Sequence, residues 1–226
     1  MAPTTRWPRA TAYFGLSGVA ASVLLIGLLH VIPPSSQVSA YRRTLSEYAL
    51  LDDAWVFNLG VTAVAVGSLA IVAALAGQGL IKAASPASAL VAVWSLCLLV
   101  IVAFPKNNWA IGPSFGGMIH RYASVAAFVS LPIAAILIGR ATRSALPVWL
   151  GVISLGWFGF ILGAVVLQPF TGTRWWVAIP LGLVERGMLV TEVAAVATLA
   201  VVSLTRRAAL LDRANSADAR LQMPSN

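Results

Sequence analysis

Apolar residues run almost without interruption through six stretches of the chain, and polar residues collect between them. A window of about 19 residues places the runs at 11–32, 54–76, 86–104, 119–139, 147–167 and 181–204. Each is long enough to cross about 30 Å of hydrocarbon at about 1.5 Å per residue. In lipid a spanning backbone must satisfy its own hydrogen bonds, so continuous apolar runs of this length read as helices. A β-barrel would show short alternating segments instead.

The breaks carry their own chemistry. Pro33-Pro34 stops the first run, and Asp52 or Asp53 is placed to cap the second. Pro86, Pro147 and Pro180 open the third, fifth and sixth runs; Pro105 and Pro169 follow the third and fifth. Pro132 falls inside the fourth, where it is expected to kink the helix. The fold class is therefore all-α, a polytopic bundle of six transmembrane helices. Residues 1–10 form an N-terminal tail, 11–204 the membrane domain, and 205–226 a polar tail expected to be disordered.

Composition removes the alternatives. Of 226 residues, 59% are hydrophobic and only 10% charged, with mean hydropathy +0.88. Soluble domains carry about a quarter charged residues, so neither a soluble fold nor a disordered chain fits. Cys97 is the only cysteine, which excludes a disulfide scaffold.

The net charge of +8 places basic residues at helix ends, where anionic lipid attracts them. No basic face with interleaved aromatics indicates nucleic acid. With the N-terminus inside, Arg6, Arg9, Lys82, Arg140, Arg143, Arg206, Arg207, Arg213 and Arg220 lie inside, nine against six outside. That bias puts both termini in the cytoplasm. Thirteen arginines against two lysines, with abundant alanine and valine, point to a GC-rich bacterium and so to its plasma (inner) membrane. Residues 6–40 also carry marks of a signal peptide, but the apolar run exceeds the usual 7–15 residues, and a retained helix is the expectation.

Small residues recur in two runs: Gly15, Gly18, Ser22 and Gly27 in the first, and Gly151, Ser154, Gly156, Gly159 and Gly163 in the fifth. Such residues let helix backbones approach. Packing within the chain is expected for both sets, although a homo-oligomer through the Gly159/Gly163 step is the other reading. Trp7, Trp55, Trp109, Trp149, Trp175 and Trp176 near span ends form an aromatic belt.

Polar residues at membrane depth are costly and mark function more often than surface ones do. They are few: His30, Asn58, His120, Arg121, Glu185, Arg186 and Glu192, joined by Ser46, Glu47 and Tyr48 on the first long connection. Under this topology nearly all map to the outer side. Glu185 and Glu192 share a helical face about 10 Å apart, and Glu192 lies about 16 Å into its span. There it must be protonated, paired or hydrated, as a proton or ion site or as a structural hydrogen bond. Glu185 beside Arg186 reads as an ion pair. His120 is either an acid–base group or a packing device, and His30 reads as interfacial. Residues 38–51, with Tyr41, Leu45 and Tyr48 at i, i+4, i+7 and an Arg43–Glu47 pair, predict an amphipathic surface helix. That helix would be structural, or a lid carrying Ser46 and Glu47 inward.

At these residues the chain resembles the bacterial integral-membrane proteins classed as domain of unknown function 998. The matching stretches are Leu45-Ser46-Glu47-Tyr48-Ala49-Leu50 with Trp55-Val56-Phe57-Asn58-Leu59-Gly60; Phe104-Pro105; Met118-Ile119-His120; and Gly182-Leu183-Val184-Glu185-Arg186. The resemblance implies a six-helix membrane bundle and supplies no reaction. Where the family-like pattern usually has an acid after Phe-Pro, this chain has Lys106-Asn107-Asn108, which argues against a metal site there. A looser similarity is to six-span lipid-associated proteins of the Frag1/DRAM/Sfk1 type.

Three classes of function follow. The first is a membrane accessory whose outward pocket of Ser46, Glu47, Asn58, His120, Arg121, Glu185 and Arg186 binds a lipid headgroup or small polar ligand. Its arginines would recognise phosphate or carboxylate. The second is an outer-leaflet lipid-modifying enzyme with His120 and Glu47 or Glu185 as acid–base pair. Whether the chain is an enzyme is left open, because no nucleophile elbow or zinc-protease motif is present. The third is a proton-coupled transporter using Glu192. Two histidines and one cysteine are too few for a typical zinc site, and no metal or cofactor is expected. An axial His30/His120 pair for haem is geometrically conceivable.

Overall fold

The computed structural model describes residues 7–221, with side chains through Thr205. Seven α-helices run in order: α1 (Trp7–Leu29), α2 (Ala54–Gly77), α3 (Pro86–Ala103), α4 (Phe115–Ala141), α5 (Ala145–Thr171), the short α6 (Trp175–Ala178) and α7 (Leu181–Leu221). Two 3₁₀ turns, Ser35–Gln37 and Leu45–Leu50, lie between α1 and α2, and the described residues contain no strand. Every helix but α6 is long and apolar enough to cross a membrane, and the protein is a multi-pass integral membrane protein.

Local chemistry sets the helix ends. Ser85 Oγ accepts the Ser88 N–H with Pro86 behind it, and Ser114 Oγ accepts the Gly117 N–H. Phe104 turns extended ahead of Pro105 and ends α3. Gly172 closes α5 at φ 66°, a conformation other residues adopt at a cost.

Several boundaries differ from the sequence reading. α1 begins at Trp7 and ends at Leu29 rather than spanning 11–32, because the chain turns at His30 ahead of the prolines. Pro169 lies inside α5 rather than beyond it. Asp53 sits at the start of α2 without capping it; its carboxylate accepts the Ser35 hydroxyl at 2.8 Å instead. The backbone of α7 stays helical to Leu221, where a tail was expected from 205. The side chains of Arg6, Arg206, Arg207, Arg213 and Arg220, and residues 222–226, lie outside the described residues.

Around the bundle the neighbours run α1, α2, α3, α4, α5, α7 and back to α1, and α7 also touches α2 and α4. Polar ties are sparse: the Ser95 hydroxyl donates to the Ala65 carbonyl, and the Trp94 indole N–H to Ser68 Oγ. α1 and α2 meet through glycine. A Cβ on Gly15 would stand 2.7 Å from the Gly67 carbonyl oxygen, and one on Gly18 2.7 Å from that of Ala63. The backbones touch there as the small-residue pattern predicts.

The fifth run behaves differently. Gly151 packs against the Pro132 carbonyl, but Gly156, Gly159 and Gly163 have nothing within 4 Å. The expected packing within the chain is thus found for Gly151 and Ser154 and not for Gly156, Gly159 and Gly163. Only 11% of the apolar window of α5 is buried, against 56% for α2.

The long connections 30–53, 104–114 and 172–180 all lie at one end of the bundle. Arg9, Lys82, Arg140 and Arg143 fall at the opposite end.

Candidate functional site

The polar groups at the long-loop end divide into an interlocked cluster and an open hollow. The cluster is organised by Arg186, five residues into α7. Its Nη1 donates to the carbonyls of Ala40 (2.9 Å), Arg43 (2.7 Å) and Gly182 (3.1 Å). Its Nη2 donates to the Tyr48 hydroxyl at 3.2 Å, and its Nε to His30 Nε2 at 2.9 Å. The guanidinium also lies 5.9 Å from the Tyr48 ring centroid, and the His30 and Tyr48 rings meet edge to face at 5.6 Å. The planar fork of arginine suits this convergence of acceptors.

Glycine makes the approach possible. At Gly182 the backbones of Ala40 and Arg43 occupy the place of a side chain. The Leu183 N–H, an otherwise orphaned donor in the first turn of α7, donates to the Tyr41 carbonyl at 3.2 Å. These demands from α7 explain why residues 38–51 do not form the predicted amphipathic helix. The carbonyls of Ala40 and Arg43 turn outward to Arg186, and only the 3₁₀ turn Leu45–Leu50 remains. Tyr48 is fully buried there while Tyr41 is 54% exposed.

Glu185 does not pair with its neighbour Arg186, as the sequence reading expected. Its buried carboxylate accepts the Leu45 N–H at 3.1 Å, at the start of the 3₁₀ turn. Glu47 accepts from Lys106 Nζ at 2.9 Å and more loosely from Arg43 at 3.5 Å, as the i,i+4 spacing predicts. Lys106 also donates to Thr44 Oγ1, which contacts Ser46 Oγ at 3.1 Å. Lys106 thereby ties the 104–114 connection to the 30–53 connection. It also lies within electrostatic reach of Glu185 and His120.

His120 is buried, and its Nδ1 donates to the Phe104 carbonyl at 2.9 Å, which fixes the end of α3 against α4. It makes no hydrogen bond to Glu47 or Glu185 among the described residues, so no acid–base pair is assembled. Both ring nitrogens of His30 are engaged, Nδ1 with the Ile26 carbonyl at 2.8 Å and Nε2 with Arg186. That leaves it no axial-ligand capacity for haem. Asn58 Oδ1 is buried and meets no donor among the described residues. Glu192 stands apart, deep in the α5–α7 contact. Its Oε1 accepts the Ser154 hydroxyl at 3.2 Å, and its Oε2 has no partner among the described residues.

Arg121 is the exception at this end. It is exposed and has no hydrogen-bond or ion-pair partner among the described residues. It lines an open hollow of about 400 Å³ with Asn107, Pro113, Ser114, Phe115 and Met118. Helical side chains lean toward the N-terminus, which aims Arg121 up toward Ser114. Asn107 holds the rim, its Oδ1 accepting from both the N–H (2.8 Å) and the hydroxyl (3.1 Å) of Ser114. Gly117 carries no side chain because that amide fills the space. Of its apolar lining, Phe115 is 73% and Met118 45% exposed.

The profile of the family described as "Protein of unknown function (DUF998)" matches residues 6–202. The chain belongs to the DUF998 family. No curated protein and no solved structure matches it. The match takes in all six membrane-crossing helices and every residue of both the cluster and the hollow.

In this DUF998 protein the sequence reading missed Lys106, Asn107 and Ser154 as structural partners and took His30 as interfacial rather than as a partner of Arg186. Lys106 had a signal: a lone cation beside Phe-Pro at the end of a span needs a counter-ion, and Glu47 supplies it. His30 had none, because its partner Arg186 is 156 residues away.

Proposed function

We propose that this protein binds the phosphate headgroup of an anionic membrane lipid in the hollow beside α4. The observation that supports this reading is Arg121, a cation with no partner among the described residues, facing an open hollow with an apolar rim. A guanidinium takes phosphate oxygens with paired, charge-assisted hydrogen bonds. Phe115, Met118 and Pro113 offer apolar surface for acyl chains beside it. A lipid satisfies both surfaces at once, whereas a free polar ligand leaves the apolar rim uncovered.

The remaining candidates do not compete for this role. Arg186, Glu185 and Glu47 are engaged with the protein itself, and a ligand at any of them must first displace those bonds. Counted along the sequence, nine basic residues on the side of the termini against six on the other support an orientation with both termini in the cytoplasm of a bacterium. The hollow then faces the outer leaflet of the plasma membrane.

The test is native mass spectrometry of protein released from nanodiscs of mixed phosphatidylglycerol and phosphatidylcholine. Wild type is expected to retain phosphatidylglycerol in preference, and Arg121→Ala to lose that preference several-fold while keeping its fold. Equal retention of both lipids by wild type, or an unchanged preference in Arg121→Ala, refutes the reading.

A further inference from the structure

We propose that His30, Tyr48 and Arg186 form an acid-released latch that holds the 30–53 connection down on α7. The argument is geometric and independent of the lipid reading. His30 follows directly on the last residue of α1. Its Nδ1 lies 2.8 Å from the Ile26 carbonyl oxygen, which can only accept, so Nδ1 carries the hydrogen. Nε2 therefore presents a lone pair, and the Arg186 Nε–H fills it at 2.9 Å. The contact requires a neutral imidazole in this one tautomer.

A second proton on His30 would have to sit on Nε2. It would turn the only acceptor for Arg186 Nε into a donor and set two cations face to face. The nearest carboxylate, Glu185, lies within electrostatic reach of Arg186 but forms no ion pair with it or with His30. From the 3₁₀ turn, His30 meets the Tyr48 ring, whose hydroxyl is already bonded to Arg186. From α7 it meets Arg186, and the adjacent Glu185 carboxylate is held by the Leu45 N–H. On the connection itself, Arg43 pairs with Glu47, which is also bound by Lys106. Asp53, at the start of α2, is bonded to Ser35. Among the described residues no carboxylate forms an ion pair with either His30 or Arg186.

Arg186 also carries the carbonyls of Ala40 and Arg43 and the Tyr48 hydroxyl. Displacing its guanidinium releases the connection at three further points. Its apolar anchors are the buried Leu45 and Tyr48, with Val38, Ala49 and Leu51 partly buried against the core. Acidification that places the second proton on His30 is thus expected to loosen residues 39–51 while the helices stay intact.

Hydrogen–deuterium exchange of the full chain in nanodiscs, at about pH 7.5 and about pH 5.5, tests this. After correction for the intrinsic pH dependence of exchange, wild-type amides in 39–51 should exchange faster in acid. The factor is on the order of tenfold, the scale of one lost charge-assisted hydrogen bond. His30→Gln keeps an acceptor and cannot take the proton, so its protection should be the same at both pH values. Glu47→Gln should still loosen in acid. Equal wild-type protection at both pH values overturns the proposal whether or not the variants fold. An acid response that persists in His30→Gln, or vanishes in Glu47→Gln, overturns it equally.

Discussion

Arg186 and Arg121 both sit near the start of a helix at the same end of the bundle, and their surroundings differ in kind. Arg186 reaches five protein acceptors and fastens one connection to α7. Arg121 reaches none among the described residues and borders a hollow. By residue type and depth the two are equivalent candidates for a ligand. What separates them is how many of their donors the protein already uses. In a membrane protein with so few charges, a fully bonded arginine reads as architecture, and an unbonded one beside an apolar rim reads as a contact for something outside the chain.

The largest expected effect breaks the first half of this contrast. Arg186→Ala leaves the carbonyls of Ala40 and Arg43 and the His30 acceptor without their donor. It should lower stability by on the order of 3 kcal/mol in thermal or denaturant unfolding in detergent. Arg121→Ala in the same assay should stay within about 0.5 kcal/mol of wild type. Equal losses would remove the distinction.

A parallel contrast exists among the glycines. Gly67→Leu drives a side chain into the Gly15 carbonyl and should cost about 2 kcal/mol by overpacking. Gly159→Leu, with open space around it, should cost close to nothing in the monomer. Unfolding of the two variants side by side checks which stripe holds helices together. Lys106→Ala probes the tie between the two connections. It removes a half-buried ion pair with Glu47 and a bond to Thr44, and a loss of about 1 kcal/mol is expected.

The six helices were legible because burial in lipid demands long apolar runs, and prolines marked where most of them start or stop. The capping by Ser85 and Ser114 was not read from the sequence. The shape of residues 30–53 was not legible. Their local spacing favours an α-helix, but Arg186, some 140 residues away, takes two of the carbonyls that helix needs. The glycine stripes were legible as contact faces in general but not as to partner. Periodicity fixes which residues share a face and says nothing of what the face meets. Gly15 and Gly18 found α2, while Gly159 and Gly163 found open space. The convergence of His30, Glu47, Glu185 and Arg186 at one end was foreseen from topology. That they would satisfy backbone groups and one another rather than surround a vacant pocket depended on hydrogen bonds that no local pattern encodes.

The most direct test of the distinction between the two arginines is the position of lipid crosslinks. A phosphatidylglycerol analogue with a photoreactive group on its headgroup, activated in nanodiscs and mapped by peptide sequencing, reports which region the headgroup touches. Labels concentrated in residues 107–122 are predicted. Labels concentrated in residues 39–48, over Arg186, with 107–122 unmarked, would contradict the account.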